Sequence, residues 1–295
     1  MTKKTIPFPR ALFIIFVSVC IVSGSSLFFI LYYNSMKEKQ RSDPYYDIVA
    51  VVQTSPDAEG LKTSFLTELL GLSVDRPKNL FSFNSREARE KLLKVSFIKE
   101  ATIAKIRPGT IHVDYMLRKP IAYFADYANT AIDADNILFP LKPFFTPKKL
   151  PEIYIGVTEF LEAPWGTKIV GEEMKLALAL LNLAPKYCDD CSAVSRIDVS
   201  RSFAPSDGER EVIVILEDRV VRVVEERSIL FVHPRILRLN PDNYEEQLIN
   251  YTVLRSYLRG KDHIEPIGGT ASVQHGKAMK IDLRLSDLAF FSKDL

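Results

Sequence analysis

Residues 11–33 contain no charged side chain, and that run limits the chain more than any other feature. As a helix rising 1.5 Å per residue it is roughly 35 Å long, enough to cross a hydrocarbon core of about 30 Å. Lys3, Lys4 and Arg10 precede it, and Lys37, Lys39 and Arg41 follow it. Tyr32 and Tyr33 suit an interfacial position. A cleaved leader has an apolar stretch of about 7–15 residues and a small-residue cleavage site. This run is longer and no A-x-A site follows it, so an uncleaved signal anchor is expected. No second apolar run approaches about 18 residues, which implies a single span. The basic residues tie across the span and leave orientation to length. The short tail 1–10 and the large remainder favour the tail inside and the bulk outside. Ser18, Cys20, Ser23, Gly24, Ser25 and Ser26 make the span rich in small residues. Such residues let two membrane helices approach closely, and a solitary span tolerates them equally.

The remainder of the chain has the composition of a folded protein. The 295 residues are 47% hydrophobic, enough for a packed core, and their number allows one long or two ordinary domains. Lys plus Arg number 39 against 37 Asp plus Glu, a net charge of +2. That balance lacks the basic excess of a dedicated nucleic-acid binder. Three cysteines exclude a disulfide scaffold.

Residues 34–44 are polar and read as a linker. A β-branched run at 47–52 predicts a strand. Leu61, Phe65, Leu66, Leu69 and Leu70 recur at helical spacing, with Gly71 placed to end that helix. Asn84-Ser-Arg-Glu87 has the form of a capping box, opening a helix with Ala88, Leu92 and Leu93 on its apolar face. A strand through 98–106 and a Pro-Gly turn at 107–110 come next. Ile111, Val113, Tyr115 and Leu117 alternate with His112, Asp114 and Arg118, the period of a half-buried strand. The expected order over 45–119 is β-α-α-β-β, with Phe97, Ile103, Ile111, Val113 and Tyr115 in its core.

These pieces resemble a known family. Asn79-Leu80-Phe81, the capped helix, Phe97-Ile98-Lys99-Glu100-Ala101-Thr102-Ile103, Arg107-Pro108-Gly109-Thr110-Ile111 and Arg118-Lys119-Pro120-Ile121-Ala122 follow the order of the POTRA module of FtsQ/DivIB bacterial cell-division proteins. That family's pattern is approximately "N-L-F … W-V-x-x-A-x-V … P-x-T-L … E-R-x-P-x-A". Phe97 stands where Trp is common, Ser96 where Pro is common and Leu117 where Glu is common. A glycine usual after the first strand is missing near Val52 and Gln53.

Residues 120–295 form the second expected domain, mostly antiparallel β with flanking helices. Strands are expected at 121–127 and 131–141, the latter interrupted by a turn at Asp133–Asn136. A proline-rich connector and a helix at 172–183 come next. Further strands are expected at 194–199, 211–216 and 220–224, with Glu217-Asp218-Arg219 as a hairpin turn. Asn243 and Glu246 open a helix whose Leu248, Tyr251, Leu254 and Leu258 share a face and which Gly260 ends. The last strands are expected at 263–267 and 279–285, before the apolar run 288–291. Leu150-Pro151-Glu152-Ile153 and Lys280-Ile281-Asp282-Leu283-Arg284-Leu285 with Ala289 resemble the β domain of the same family. The overall expectation is an α+β chain: an N-terminal transmembrane helix, a POTRA-like module and a β domain.

Catalytic patterns are scarce. The sequence has no G-x-S-x-G, P-loop, G-x-G-x-x-G or H-E-x-x-H. Ser96-Phe-Ile-Lys99 matches S-x-x-K without the accompanying motifs and reads as a turn into a strand. His112, His233, His263 and His275 are scattered, and no metal, cofactor or small-molecule substrate is expected. Cys188-Asp-Asp-Cys191 supplies two of the four ligands of a zinc site. A redox thiolate favours a helix N-terminus, whereas this pair lies after a helix beside two aspartates. A local disulfide outside the cytoplasm is the expectation. Asn250-Tyr-Thr252 matches a glycosylation sequon but falls on a helix.

The leading expectation is a non-enzymatic scaffold. By resemblance it sits in the bacterial inner membrane at the division site. There it joins other membrane-anchored division proteins, of FtsB/FtsL type, to the septal cell-wall synthase. Tethering partners in one plane raises their effective concentration without catalysis. The alternatives are a membrane-anchored envelope enzyme or thiol oxidoreductase using Cys188 and Cys191, and a POTRA-type secretion or assembly chaperone. The candidate partner surface is the last strand pair. Ile281, Leu283 and Leu285 are expected to face the core, and Asp282, Arg284, Leu288, Phe290 and Phe291 to be reachable along a sheet edge.

Overall fold

The computed structural model describes residues 8–56, 60–157, 162, 164–187, 192–224, 227–261, 273–286 and 288–292. Two compact units divide the chain, Met1–Leu117 and Arg118–Leu295.

The first unit opens on α1, Phe8–Ser42, whose 35 residues span about 52 Å. Among the described residues it is the one helix long and apolar enough to cross a membrane. Phe13, Phe16, Ile21 and Phe29 are each more than 60% exposed and are left uncovered by the other described elements. The serine hydroxyls are satisfied within the helix. Ser25 and Ser26 donate to the Val22 carbonyl at 2.9 and 2.8 Å, and Ser23 donates to that of Val19. The expected polar linker continues the helix instead. Residues 34–42 contain neither Pro nor Gly, and Met36, Lys37, Glu38, Lys39 and Gln40 are good helix formers. A short 3-10 turn, Pro44–Tyr46, comes after it.

Asn79 secures the end of α1. Its amide donates to the carbonyls of Gln40 and Asp43, both at 3.0 Å. The last four carbonyls of a helix lack intrahelical partners, and Gln40 is one of them. The Asn79 Oδ1 accepts from the Phe81 N–H at 2.9 Å, and the residue is buried. Around it, the Leu80 N–H donates to Tyr46 at 2.8 Å and the Ile48 N–H to Lys78 at 2.9 Å. Tyr46 meets the Phe81 ring edge-on at 4.9 Å.

Beyond this junction the order is β1 (Ala50–Thr54), α2 (Thr63–Leu69), α3 (Ser85–Leu93), β2 (Ile98–Ile106) and β3 (Thr110–Leu117). The sheet order is β1-β3-β2, with β1 parallel and β2 antiparallel to β3. Asn84 caps α3, accepting from the N–H groups of Arg86 and Glu87 at 3.1 and 3.2 Å. Glu87 pairs forward with Lys91 at 2.9 Å, so only half of the expected box forms. In the 107–110 turn a Cβ on Gly109 would lie 2.1 Å from the Asp47 carbonyl oxygen, which leaves room for glycine alone. Phe97, Ile111, Val113 and Tyr115 are buried. Ile103, opposite Val113 on the outer strand β2, is only half-buried.

The second unit contains β4 (Ala122–Phe124), β5 (Thr130–Ile132), β6 (Leu138–Pro140), β7 (Glu152–Tyr154), α4 (Glu172–Tyr187) and β8 (Ser192–Arg201). Next come β9 (Glu211–Val224), β10 (Arg227–Leu239), α5 (Tyr244–Lys261), β11 (Val273–His275), β12 (Met279–Asp282) and β13 (Phe290–Ser292). Its sheet runs β13-β12-β10-β9-β8-β7-β4-β5-β6, with β11 also on β10. Antiparallel pairing carries most of the sheet, along β8-β9-β10, β4-β5-β6 and β12-β13, and parallel pairings add to it: β7 is parallel to β4 and β8, and β10 to β11 and β12. Helices account for the parallel pairings of β8, β11 and β12. α4 separates β7 from β8 and α5 separates β10 from β12, and such crossovers return the chain in the same direction. One core joins Val212, Val214, Leu216, Leu237 and Leu239 of the sheet to Met174, Ala177 and Leu180 of α4 and Leu248 and Tyr251 of α5.

Two sequence expectations fail in this unit. Glu217-Asp218-Arg219 is no hairpin turn but the middle of the 14-residue strand β9. Glu217 and Arg219 share one face and pair at 2.7 Å, while Asp218 points into the core to a partner on α5. Gly260 does not end α5, which continues to Lys261. The strand expected at 263–267 lies outside the described residues.

Burial of the β3 face gives a direct test of strand register. Ile111→Ala should cost about 2–5 kcal/mol, and Ile103→Ala clearly less. Thermal unfolding of the detergent-solubilised full chain measures both, and equal losses would show that β2 is registered differently.

Candidate functional site

The chain's last described strand is also the edge of the second unit's sheet. β13 pairs antiparallel with β12, setting Phe291 opposite Ile281 and Phe290 opposite Asp282. Among the described residues no strand pairs its other side. Such an edge presents unpaired N–H and C=O groups. Leu285, Leu288, Phe290 and Phe291 are 58%, 57%, 56% and 47% exposed, a large apolar fraction for four residues at one edge.

The two faces of the edge differ. On the helix side a groove of about 370 Å³ runs between α5 and the chain end, lined by Asn250, Val253, Leu254, Leu283, Leu285 and Leu288 among others. Val253 belongs to an exposed α5 stripe, with Ile249 and Tyr257 one turn to either side. On the opposite face a cleft of about 310 Å³ is lined by the charged Asp207, Arg210, Asp282 and Arg284 with Asn240 and Phe290, among others. Successive residues of a strand point to opposite faces, so a segment added beside β13 would meet the α5 groove and the Asp282–Arg284 cleft in alternation.

Asp282 and Arg284 are less available than expected. Both are half-buried and hold each other through two contacts of 3.0 Å, while the Arg284 N–H also donates to Asp282 at 3.2 Å. Arg238 donates to Asp282 at 2.9 Å and bridges to Glu211, so the ladder ties β12 across β10 to β9. Burial alone would push the Asp282 carboxyl up. The hydrogen bonds from Arg284, with its charge and that of Arg238, outweigh this and hold it below the ordinary carboxylate range. Leu285 also departs from its expected core position. The chain leaves strand geometry after Asp282, so the alternation that buries Ile281 and Leu283 does not extend to it.

No family model matches the chain, and no curated protein does.

Several residues that matter to this unit are poorly marked in the sequence. Arg255 of α5 donates from Nε and one terminal nitrogen to Asp218 Oδ1 at 3.1 and 2.9 Å, and both residues are almost wholly buried. Arg255 interrupts an apolar face made by Leu248, Tyr251 and Leu258, and that interruption is the available signal. His233 and Arg235 of β10 are also buried on the helix-covered face. A Cβ on Gly276 would fall 2.3 Å from His233 Nδ1, so glycine lets the β11–β12 segment close over the imidazole. His112 is partly exposed and hydrogen bonds Thr54 Oγ1 at 2.8 Å. His275 is exposed in β11, Asn250 lies inside α5 and Ser96 leads into β2. Cys188, Cys191 and His263 lie outside the described residues. Among the described residues no three His, Cys, Asp or Glu side chains gather as metal ligands.

The Asp282 ladder predicts an acid limb to stability. Its folded-state carboxyl titrates below the unfolded one, so the stabilisation is present above about pH 4 and fades as pH falls further. Between about pH 5 and pH 3 the melting temperature of the wild-type chain should fall more steeply than that of Asp282→Asn. Parallel slopes would remove Asp282 from the account.

Proposed function

We propose that this protein is a non-enzymatic, membrane-anchored scaffold of the FtsQ/DivIB type, whose C-terminal sheet edge receives a segment of another membrane-anchored division protein. The observation that carries the reading is β13: an exposed apolar strand at the sheet edge, beside a groove of mixed polar and apolar lining, in a chain whose N-terminal helix is long and apolar enough to cross a membrane. Main-chain hydrogen bonds along such an edge give affinity, and alternate side chains give specificity. The expected partner segment is extended. It places apolar residues toward the α5 groove and polar or charged residues toward Arg210 and the Asp282–Arg284 pair.

The β-α-α-β-β order of the first unit and its Asn79-Leu80-Phe81 run support its assignment as a POTRA-type module, placed along the chain between the anchor and the edge-bearing unit. In this reading α1 anchors the chain in the bacterial inner membrane, with residues 1–10 inside and both units outside. The chemistry is assembly: FtsB/FtsL-type proteins and the septal synthase are brought into one plane, where tethering raises their effective concentration.

A fluorescent fusion of the full chain in its source cell should concentrate at the division site. The variant Leu288→Asp, Phe290→Asp, Phe291→Asp should keep its melting temperature and fail to support septation. A uniform envelope signal from the wild type, or normal septation by a folded triple variant, would contradict the reading.

A further inference from the structure

α1 does not stop where its apolar run stops. From Tyr33 the helix continues nine residues to Ser42, about 13 Å, and presents Lys37, Lys39 and Arg41 on the way. The polar headgroup layer is about 5–8 Å deep on each side of the hydrocarbon. Lys37 therefore lies within it, and Lys39 and Arg41 stand just above it, within reach for snorkelling side chains.

The first unit adds charge beside the end of α1. Asn79 holds the end of α1 by two hydrogen bonds, so the unit's position on the helix is fixed. Lys105 donates from Nζ to the Phe83 carbonyl, and Arg107 lies 5.3 Å over the Phe81 ring beside the junction. Lys105 and Arg107 are exposed, as are Tyr45 and Ile106. Burial pushes the Lys105 ammonium down, and the nearby charge of Arg41 pushes it further. The acids in this region are Glu38, Asp43 and Asp47, and Asp43 Oδ1 already accepts from the Tyr45 N–H at 3.0 Å. Two cations from separate elements, Arg41 and Lys105, thus lie close together beside the end of α1, an arrangement that an anion between them relieves.

We propose that Lys37, Lys39 and Arg41 of α1 and Lys105 and Arg107 of the first unit form a collar that binds anionic phospholipid headgroups. The bound headgroups seat this unit on the bilayer surface. The inference rests on α1 crossing a membrane, and it adds a lipid-selective contact that an apolar helix alone does not make.

The test uses the full chain. Native mass spectrometry of the detergent-solubilised protein with added phosphatidylglycerol or phosphatidylcholine reads headgroup preference. Each Lys or Arg near an anionic surface is worth roughly a fivefold change in binding. The wild type should retain phosphatidylglycerol at least about fivefold over phosphatidylcholine, and Arg41→Gln, Lys105→Gln, Arg107→Gln should bring the two near parity. A control variant, Lys94→Gln, Lys142→Gln, Lys175→Gln, changes three exposed cations elsewhere and should keep the preference. Equal preference in the wild type and the collar variant would overturn the collar. Alkaline extraction of membranes reads the anchor separately. A chain released by it has no span, which overturns the anchor and the collar together. A retained chain without lipid preference overturns the collar alone.

Discussion

A single buried amide governs how the rest of the first unit meets the long apolar helix α1. Helix C-termini expose carbonyls that need donors, and a polar segment after a span would ordinarily leave them to water. Here Asn79 supplies two donors at once, to Gln40 and Asp43, while its own oxygen holds the Phe81 N–H. The Tyr46–Phe81 contact and the backbone bonds at 46–48 and 78–80 close around it. The consequence is a helix that runs unbroken from the apolar span into a folded unit. Residues that would otherwise move on a tether are held beside the end of α1, Lys105 and Arg107 among them, and the proposed headgroup collar depends on that.

In the second unit a different constraint decides what stays exposed. Both helices cover one face of the sheet, and the Asp218–Arg255 pair fastens α5 to β9 within that covered face. Removing one partner of such a pair leaves an uncompensated buried charge, at a cost of about 3–5 kcal/mol. The fastening sets the wall of the groove that runs beside β13. On the other face the Glu211–Arg238–Asp282–Arg284 ladder braces β12 from below, so the edge strand rests on a stiff neighbour. Rigidity on both sides lowers the ordering cost of accepting another strand.

The legible parts of the sequence were those where one physical rule acted alone. The uncharged run at 11–33, the alternation of Ile111, Val113, Tyr115 and Leu117, and the Asn84 cap each needed only local spacing. The misread parts were places where tertiary partners reversed a local rule. Glu217-Asp218-Arg219 is polar enough for a turn, yet a strand carries it because Glu217 and Arg219 pair with each other and Asp218 finds Arg255. The span's helix passes through residues 34–42 because a distant asparagine receives its end. Parallel pairing of β8 with β7 and of β12 with β10 follows from helical crossovers, and β7 and β12 are only three and four residues long. The edge at Phe290 and Phe291 was visible as an apolar chain end, whereas the groove beside it depends on the exposed Ile249, Val253 and Tyr257 stripe of α5.

The central claim is that this protein acts by lending its sheet edge to a partner. Photo-crosslinking in living cells tests it most directly, with a photoreactive phenylalanine analogue placed singly at Leu288, Phe290 or Phe291. Val221, exposed on β9 away from the edge, serves as the reference position. The account predicts covalent adducts to another membrane-anchored chain at the three edge positions and none at Val221. Absence of adducts at the edge, or equal adducts at Val221, would contradict it.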